Sequence, residues 1–166
     1  MSLITLTTDF GTKDHFVGAV KGAIYSELAD AKIVDITHEI SPFNITETAY
    51  ILKNSYKSFP EGTIHIVGVD SELSEDNKHI AIELDNHFFV CPDNGIISMI
   101  ASEIQPTKIV EINIHDRIGS SFPVLDIFVK VACFIARGGN LTVIGKEIDE
   151  FKKLIEIQPK VNQKKT

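Results

Sequence analysis

The chain has no surplus of positive charge, no long apolar run and almost no cysteine, and each shortage removes a class of function. Its 166 residues hold 16 Lys and Arg against 23 Asp and Glu, a formal net charge of −7. A nucleic-acid partner needs a basic surface to displace counterions, and an anionic membrane surface needs the same, so neither is expected. No apolar run approaches the roughly 20 residues that cross a bilayer. Met1-Ser2-Leu3-Ile4 lacks the basic region and apolar stretch of a secretory signal. A cytoplasmic protein is expected. The two cysteines, Cys91 and Cys133, sit in apolar segments with neither C-x-x-C nor zinc spacing, as reduced core thiols do. There is no internal repeat and no low-complexity block.

What is present suits one folded domain. Hydrophobic residues make up 43% and charged residues 23%, the balance of an ordinary globular protein, and the length allows a real core. Residues 2–8 are rich in Ile, Leu and Thr and run into Asp9-Phe10-Gly11, which predicts a strand and a tight acidic turn. From Asp14, well placed to cap, the residues Phe16, Val17, Val20, Ile24 and Leu28 recur at helical spacing. Ala31–Ile36 predicts a second strand. Asn44 is placed to cap a helix from about Ile45 to Tyr56, and Thr63–Val69 predicts a third strand. Lys78–Leu84 and His87–Cys91 flank Asp85-Asn86, a hairpin signal. A short helix near Ile96–Ile104, a strand at Lys108–Ile114, a helix from Val124 to Ile135 closed by Gly138-Gly139, and a last strand at Phe151–Ile157 complete the reading. Residues 158–166 are polar and Lys-rich, a linker or tail. Strand and helix alternate, so the expected fold is α/β: a three-layer α/β/α sandwich around a mostly parallel sheet, spanning residues 1–157.

In such sheets ligands bind beyond the carboxyl ends of the strands. Four polar clusters are expected to meet there: Asp9, Asp35 with His38, Asp70, and Asp93-Asn94. The first turn has one Gly and two Asp and lacks G-x-G-x-x-G, so it would repel phosphate. It suits a ribose diol, or an ammonium or sulfonium group. Each residue also has a plainer role. Asp9 either orders a turn or holds ligand. Asp35, a carboxylate within an apolar run, is either paired structurally or functional. His38 and His15 read as structural or rim residues, and His79, beside Lys78, as solvated. Phe43 follows Pro42 and is either packing or an aromatic cover over a base or ribose. Asp-Phe-Gly also occurs in protein kinases, but this chain is too short and no H-R-D loop follows.

Five segments agree in order and spacing: Thr8-Asp9-Phe10-Gly11-Thr12-x-Asp14, Val17–Gly22, Val34-Asp35-Ile36-Thr37-His38-x-Ile40-x-Pro42, Phe59–Thr63 and Pro92-Asp93-Asn94-Gly95. The set resembles the S-adenosyl-L-methionine hydroxide adenosyltransferase family, related to the fluorinases and chlorinases. The resemblance implies an N-terminal α/β/α domain, a smaller C-terminal β-barrel that would begin where this sequence stops, the sequence being either a fragment or a protein with half of the usual site, and a homotrimer with substrate between subunits. It implies displacement at the ribose C5′, with S-adenosylmethionine as substrate and neither cofactor nor metal. Asp9 would bind the ribose hydroxyls, Asp14 the methionine end, and Phe43 would lie near the ribose. Asp70 would be the catalytic carboxylate.

Two departures stand out. Where the family has D-P-G-V-G-T-x-R, this chain has Asp70-Ser71-Glu72-Leu73-Ser74-Glu75-Asp76-Asn77; where it has T-F-H-G-R-D, this chain has Ser121-Phe122-Pro123-Val124-Leu125-Asp126. The water-activating Asp, Arg and His are reduced to Asp70, with Lys78 or His79 as substitutes only through a shift of register. The leading expectation is a divergent S-adenosylmethionine hydrolase giving adenosine and methionine. The alternative is a non-catalytic nucleoside-binding or assembly module. A metal-dependent hydrolase built on the acidic cluster ranks last.

Overall fold

A computed structural model describes residues 3–114 and 122–153. Seven strands form one sheet: β1 (Leu3–Thr8), β2 (Lys32–Thr37), β3 (Ile64–Gly68), β4 (His79–Leu84), β5 (His87–Pro92), β6 (Lys108–Ile112) and β7 (Gly145–Ile148). Their order is β2-β1-β3-β5-β4-β6-β7. β1 pairs in parallel with β2 and β3, and β3 with β5, while β4 and β7 run antiparallel to their neighbours. Five of the seven strands therefore share a direction, and the sheet is mostly parallel. The reversal of β4 comes from its turn. Asp85 and Asn86 take φ of 55° and 65°, the left-handed pair that a two-residue hairpin needs.

Helices cover both faces. α1 (Phe16–Glu27) and α4 (Val129–Ala136) pack on one, and α2 (Ile45–Lys53) and α3 (Ile96–Ala101) on the other. Two buried clusters result, one containing Ile4, Leu6, Val20, Ile24, Phe128 and Val131, the other Leu52, Tyr56, Ile82, Phe89 and Ile97. β1 and β3 lie inside the sheet. Thr5, Thr7 and Thr8 are as buried as Ile4 and Leu6, as expected when helices cover both faces of a strand. α2 starts where Asn44 accepts a bond from the Glu47 N–H at 2.9 Å, and Glu47 accepts one from the Ser41 N–H at 2.9 Å. The predicted continuation to Tyr56 is instead a separate 3-10 turn, Tyr56–Ser58. α4 is preceded by a π-helical turn, Val124–Phe128, that Pro123 opens.

That turn presses on β3. A Cβ at Gly68 would lie 2.7 Å from Val124 Cγ2 and 3.4 Å from the Phe10 ring. Gly68→Ala is expected to cost about 1–3 kcal/mol of stability through overpacking, measured as a lower urea midpoint.

Two expectations at the end of the chain change. Gly145–Ile148, left unassigned above, is the edge strand β7, and Phe151–Lys153 carries no strand. Residues 154–157 of the predicted strand and the tail 158–166 lie outside the described residues. Among the described residues no helix is long and apolar enough to cross a membrane.

Candidate functional site

β1 ends at the turn Asp9–Thr12, and a chain of hydrogen bonds fixes that turn against the segment after β2. The Phe10 N–H donates to Thr8 Oγ1 at 3.2 Å, and Thr8 Oγ1 is 2.7 Å from His38 Nδ1. His38 Nε2 lies 2.7 Å from Asp35 Oδ1, and Lys21 Nζ lies 2.6 Å from Asp35 Oδ2. A carboxylate only accepts, so Nε2 carries a proton, and in the neutral ring Nδ1 accepts from Thr8. The Gly11 N–H adds a bond to the His38 carbonyl at 2.7 Å, with Gly11 at φ 74°. Phe10, Phe16 and Phe122 form a three-ring cluster, with centroids 5.0–6.0 Å apart.

On the open side of the turn the Phe43 N–H donates to Asp9 Oδ2 at 3.2 Å. Phe43 holds φ 62° and its ring is 71% exposed, so its backbone is committed to Asp9 while the ring faces solvent. Asp70 follows the end of β3, the strand beside β1, and also lies in the left-handed region at φ 52°. Burial pushes the Asp70 carboxyl above its ordinary value, repulsion from Asp9 and Glu72 adds to this, and Lys152 opposes it. Asp9 thus takes a bond from the Phe43 N–H and stands near enough to Asp70 for the two carboxylates to repel. Asp14 is exposed and accepts from the Phe16 N–H at 3.4 Å, at the start of α1.

Asp70 lines a recess of about 610 Å³ with Glu72, Asp76, Asn77, Asn94 and Lys152 among its walls. Asn77 braces it. Its Nδ2 donates to the carbonyls of Asp70 at 2.8 Å and Glu72 at 2.9 Å, and its Oδ1 is buried without a partner among the described residues. Asn94 Nδ2 donates to the Val69 carbonyl at 3.4 Å.

Other expectations need correction. Asp35 does not join Asp70. β2 is an edge strand, so Asp35 is 39% exposed there and pairs with Lys21 and His38; burial alone would raise its carboxyl, but those two partners hold it below its ordinary value. Asp93 turns instead to the Lys152 backbone N–H, at 2.7 Å. His79 is fully buried rather than solvated. It opens β4, between β5 and β6, with Nε2 2.7 Å from the Ser71 carbonyl and its ring on Phe128. Lys78 lines a neighbouring recess with Glu75 and Glu111, so neither residue replaces a cation beside Asp70. Lys152 had no local signal in the sequence. Among the described residues no three His, Cys, Asp or Glu side chains are grouped to hold a metal ion.

A second polar chain lies inside the sheet. Thr5 Oγ1 is 2.7 Å from His65 Nδ1, and His65 Nε2 is 3.1 Å from His87 Nδ1. Tyr56 packs edge-on against both rings and donates to Asp85 at 2.9 Å. His65 between Ile64 and Ile66, in an otherwise apolar strand, is the signal that would have found it.

Residues 4–145 match the family profile described as the SAM hydroxide adenosyltransferase N-terminal domain. An (R)-S-adenosyl-L-methionine hydrolase of Methanocaldococcus jannaschii is 36% identical over 97% of this chain and 62% of its own length. A protein of the same name from Salinispora arenicola is 28% identical over 88% of this chain and 58% of its own. A crystal structure of an uncharacterized conserved protein from Thermotoga maritima superposes with a TM-score of 0.86 at 32% identity, covering 95% of this chain and 62% of that one. The chain thus spans about three fifths of the length of these proteins.

Proposed function

We propose, since the chain belongs to the S-adenosyl-L-methionine hydroxide adenosyltransferase family, that it hydrolyses S-adenosylmethionine to adenosine and methionine. The observation that carries this reading is the meeting of Asp9 and Asp70 at the ends of neighbouring parallel strands, β1 and β3. Asp9 accepts hydrogen bonds from the ribose diol, which suits a carboxylate already oriented by the Phe43 N–H. The exposed Phe43 ring lies against the ribose, and Asp14 faces the methionine ammonium. Asp70 takes a proton from water. The water oxygen forms a bond to C5′, the C5′–S bond breaks, and its electron pair stays on sulfur, turning the sulfonium into the neutral thioether of methionine. A carboxyl with a raised pKa is a better base for this step, provided it is ionised.

The net negative site also favours the cationic sulfonium over a phosphate ligand. No cofactor takes part, and the protein acts as a cytoplasmic homotrimer. The module without turnover is not favoured, because the relatives matched along most of the chain carry the hydrolase name.

Purified protein incubated with S-adenosylmethionine is expected to release adenosine above a buffer control, measured by liquid chromatography. Asp9→Ala should weaken adenosine binding about tenfold or more in calorimetry, the loss of two charge-assisted hydrogen bonds. No adenosine from the wild type would overturn the reading.

A further inference from the structure

The recess beside Asp70 is short of positive charge. Asp70, Glu72 and Asp76 bring three carboxyl side chains to its walls, and Lys152 is the cation among its lining residues. A site of that kind resists forming hydroxide, because each nearby carboxylate raises the free energy of a new negative charge. Lys152 is also held at two points. Its backbone N–H donates to Asp93 Oδ1 at 2.7 Å, and its Nζ donates to the Asp76 carbonyl at 2.6 Å. The first contact joins the segment after β7 to the end of β5, and the second places the ammonium on the loop that carries Asp70.

We propose that Lys152 is a positioning residue for Asp70: its ammonium, held by the Asp76 carbonyl on the wall of the same recess, favours the charged carboxylate there. The inference rests on the hydrolase reading for the water, and on the observed lining of the recess for the pairing. Within that reading the water gives one proton to Asp70 and its lone pair to C5′, while the C5′–S pair leaves with methionine. The groups facing Asp70 are Asp9 from the end of β1, Glu72 from its own loop, and Lys152; the two carboxylates oppose its ionisation and the lysine alone favours it. Lys152 stands on the solvent side of the recess, so its ammonium needs no desolvation to act there.

The test follows the Asp70 carboxyl directly, by carbon-13 NMR of aspartate-labelled protein, with Asp70→Asn identifying the signal. Lys152→Met is expected to raise the Asp70 midpoint by about half a pH unit to one unit. It should also move the acid limb of the adenosine-release profile to higher pH by the same amount, so the loss of rate is largest on that limb and small at neutral pH. Lys152→Arg should restore both. Because Lys152→Met keeps the backbone bond to Asp93, a merely structural role predicts a normal Asp70 titration. An unchanged midpoint in Lys152→Met overturns the proposal, whether or not the wild type turns over. A shifted midpoint without adenosine from the wild type upholds the pairing and sinks the hydrolase reading instead.

Discussion

Asp70→Asn is expected to lower adenosine release about 10²–10⁴-fold while leaving adenosine binding within about threefold, because a general base contributes to the transition state and not to the bound ground state. The asparagine keeps the shape of the side chain and loses the basic oxygen. Its backbone remains held by Asn77, whose Nδ2 bonds the residue-70 carbonyl. Asp9 and Phe43, the proposed ribose contacts, are untouched. In the wild type the rate should rise with pH as Asp70 ionises, with the limb above the ordinary carboxylate value of 3.8. Stability offers a second readout of opposite sign. Asp70 ionises less readily in the fold than in the unfolded chain, so the charged form opposes folding at neutral pH. Asp70→Asn should therefore unfold no earlier than the wild type in urea at pH 7. A variant that loses both activity and stability would instead mark Asp70 as a structural residue.

Acid is expected to unfold the protein through the histidines inside the sheet. Burial, together with the neighbouring His87, pushes His65 down to about 3, from 6.5 in the unfolded chain. Burial also lowers His87, against the pull of Asp85 and Glu61. Between those two values the unfolded chain binds a proton that the folded chain refuses. The stability of the neutral pair is thus fully present above pH 6.5 and falls as pH drops toward 3. Well below pH 6.5 His65 alone costs about 1.4 kcal/mol per pH unit, on the order of 2 kcal/mol between pH 6.5 and 4.5. Asp70 and Asp93, both raised, act in the opposite direction and gain stability on protonation. A double variant, His65→Gln with His87→Gln, separates the two effects. Its unfolding free energy in urea should be lower at pH 7, from lost packing, but nearly flat down to pH 4.5. A slope as steep as the wild type's would assign the acid sensitivity elsewhere.

Much of the fold could be read from the chain because its signals are local. The alternation of Ile, Leu and Val with helical spacing needs no partner to be recognised, and neither does Asp85-Asn86 as a hairpin turn. β7 was missed for the converse reason. Gly145-Lys146-Glu147-Ile148 has little apolar pattern of its own and becomes a strand by pairing with β6, where a Cβ at residue 145 would collide with the Glu111 carbonyl. The site divides the same way. Asp9 and Asp70 follow from the rule that ligands gather at the carboxyl ends of parallel strands. Asp35 obeys the same rule in sequence, but β2 lies at the sheet edge, where Lys21 and His38 take both carboxylate oxygens. His79 reads as solvated from its exposed neighbour Lys78, but β4 lies inside the sheet between β5 and β6 and is buried on both faces. Lys152 depends on contacts with Asp76 and Asp93, some sixty to eighty residues away in sequence.

The left-handed backbone at Phe43 and Asp70 carries a lesson for engineering. By backbone criteria these are two of the first positions a designer of a sturdier protein would change to glycine, each substitution relieving about 1 kcal/mol of strain. At Asp70 the change would delete the proposed base, and at Phe43 it would remove the proposed ribose contact and loosen the N–H that bonds Asp9. Robustness and the proposed chemistry therefore compete at the same two φ angles, and a hardened version of this fold would have to find its gains elsewhere.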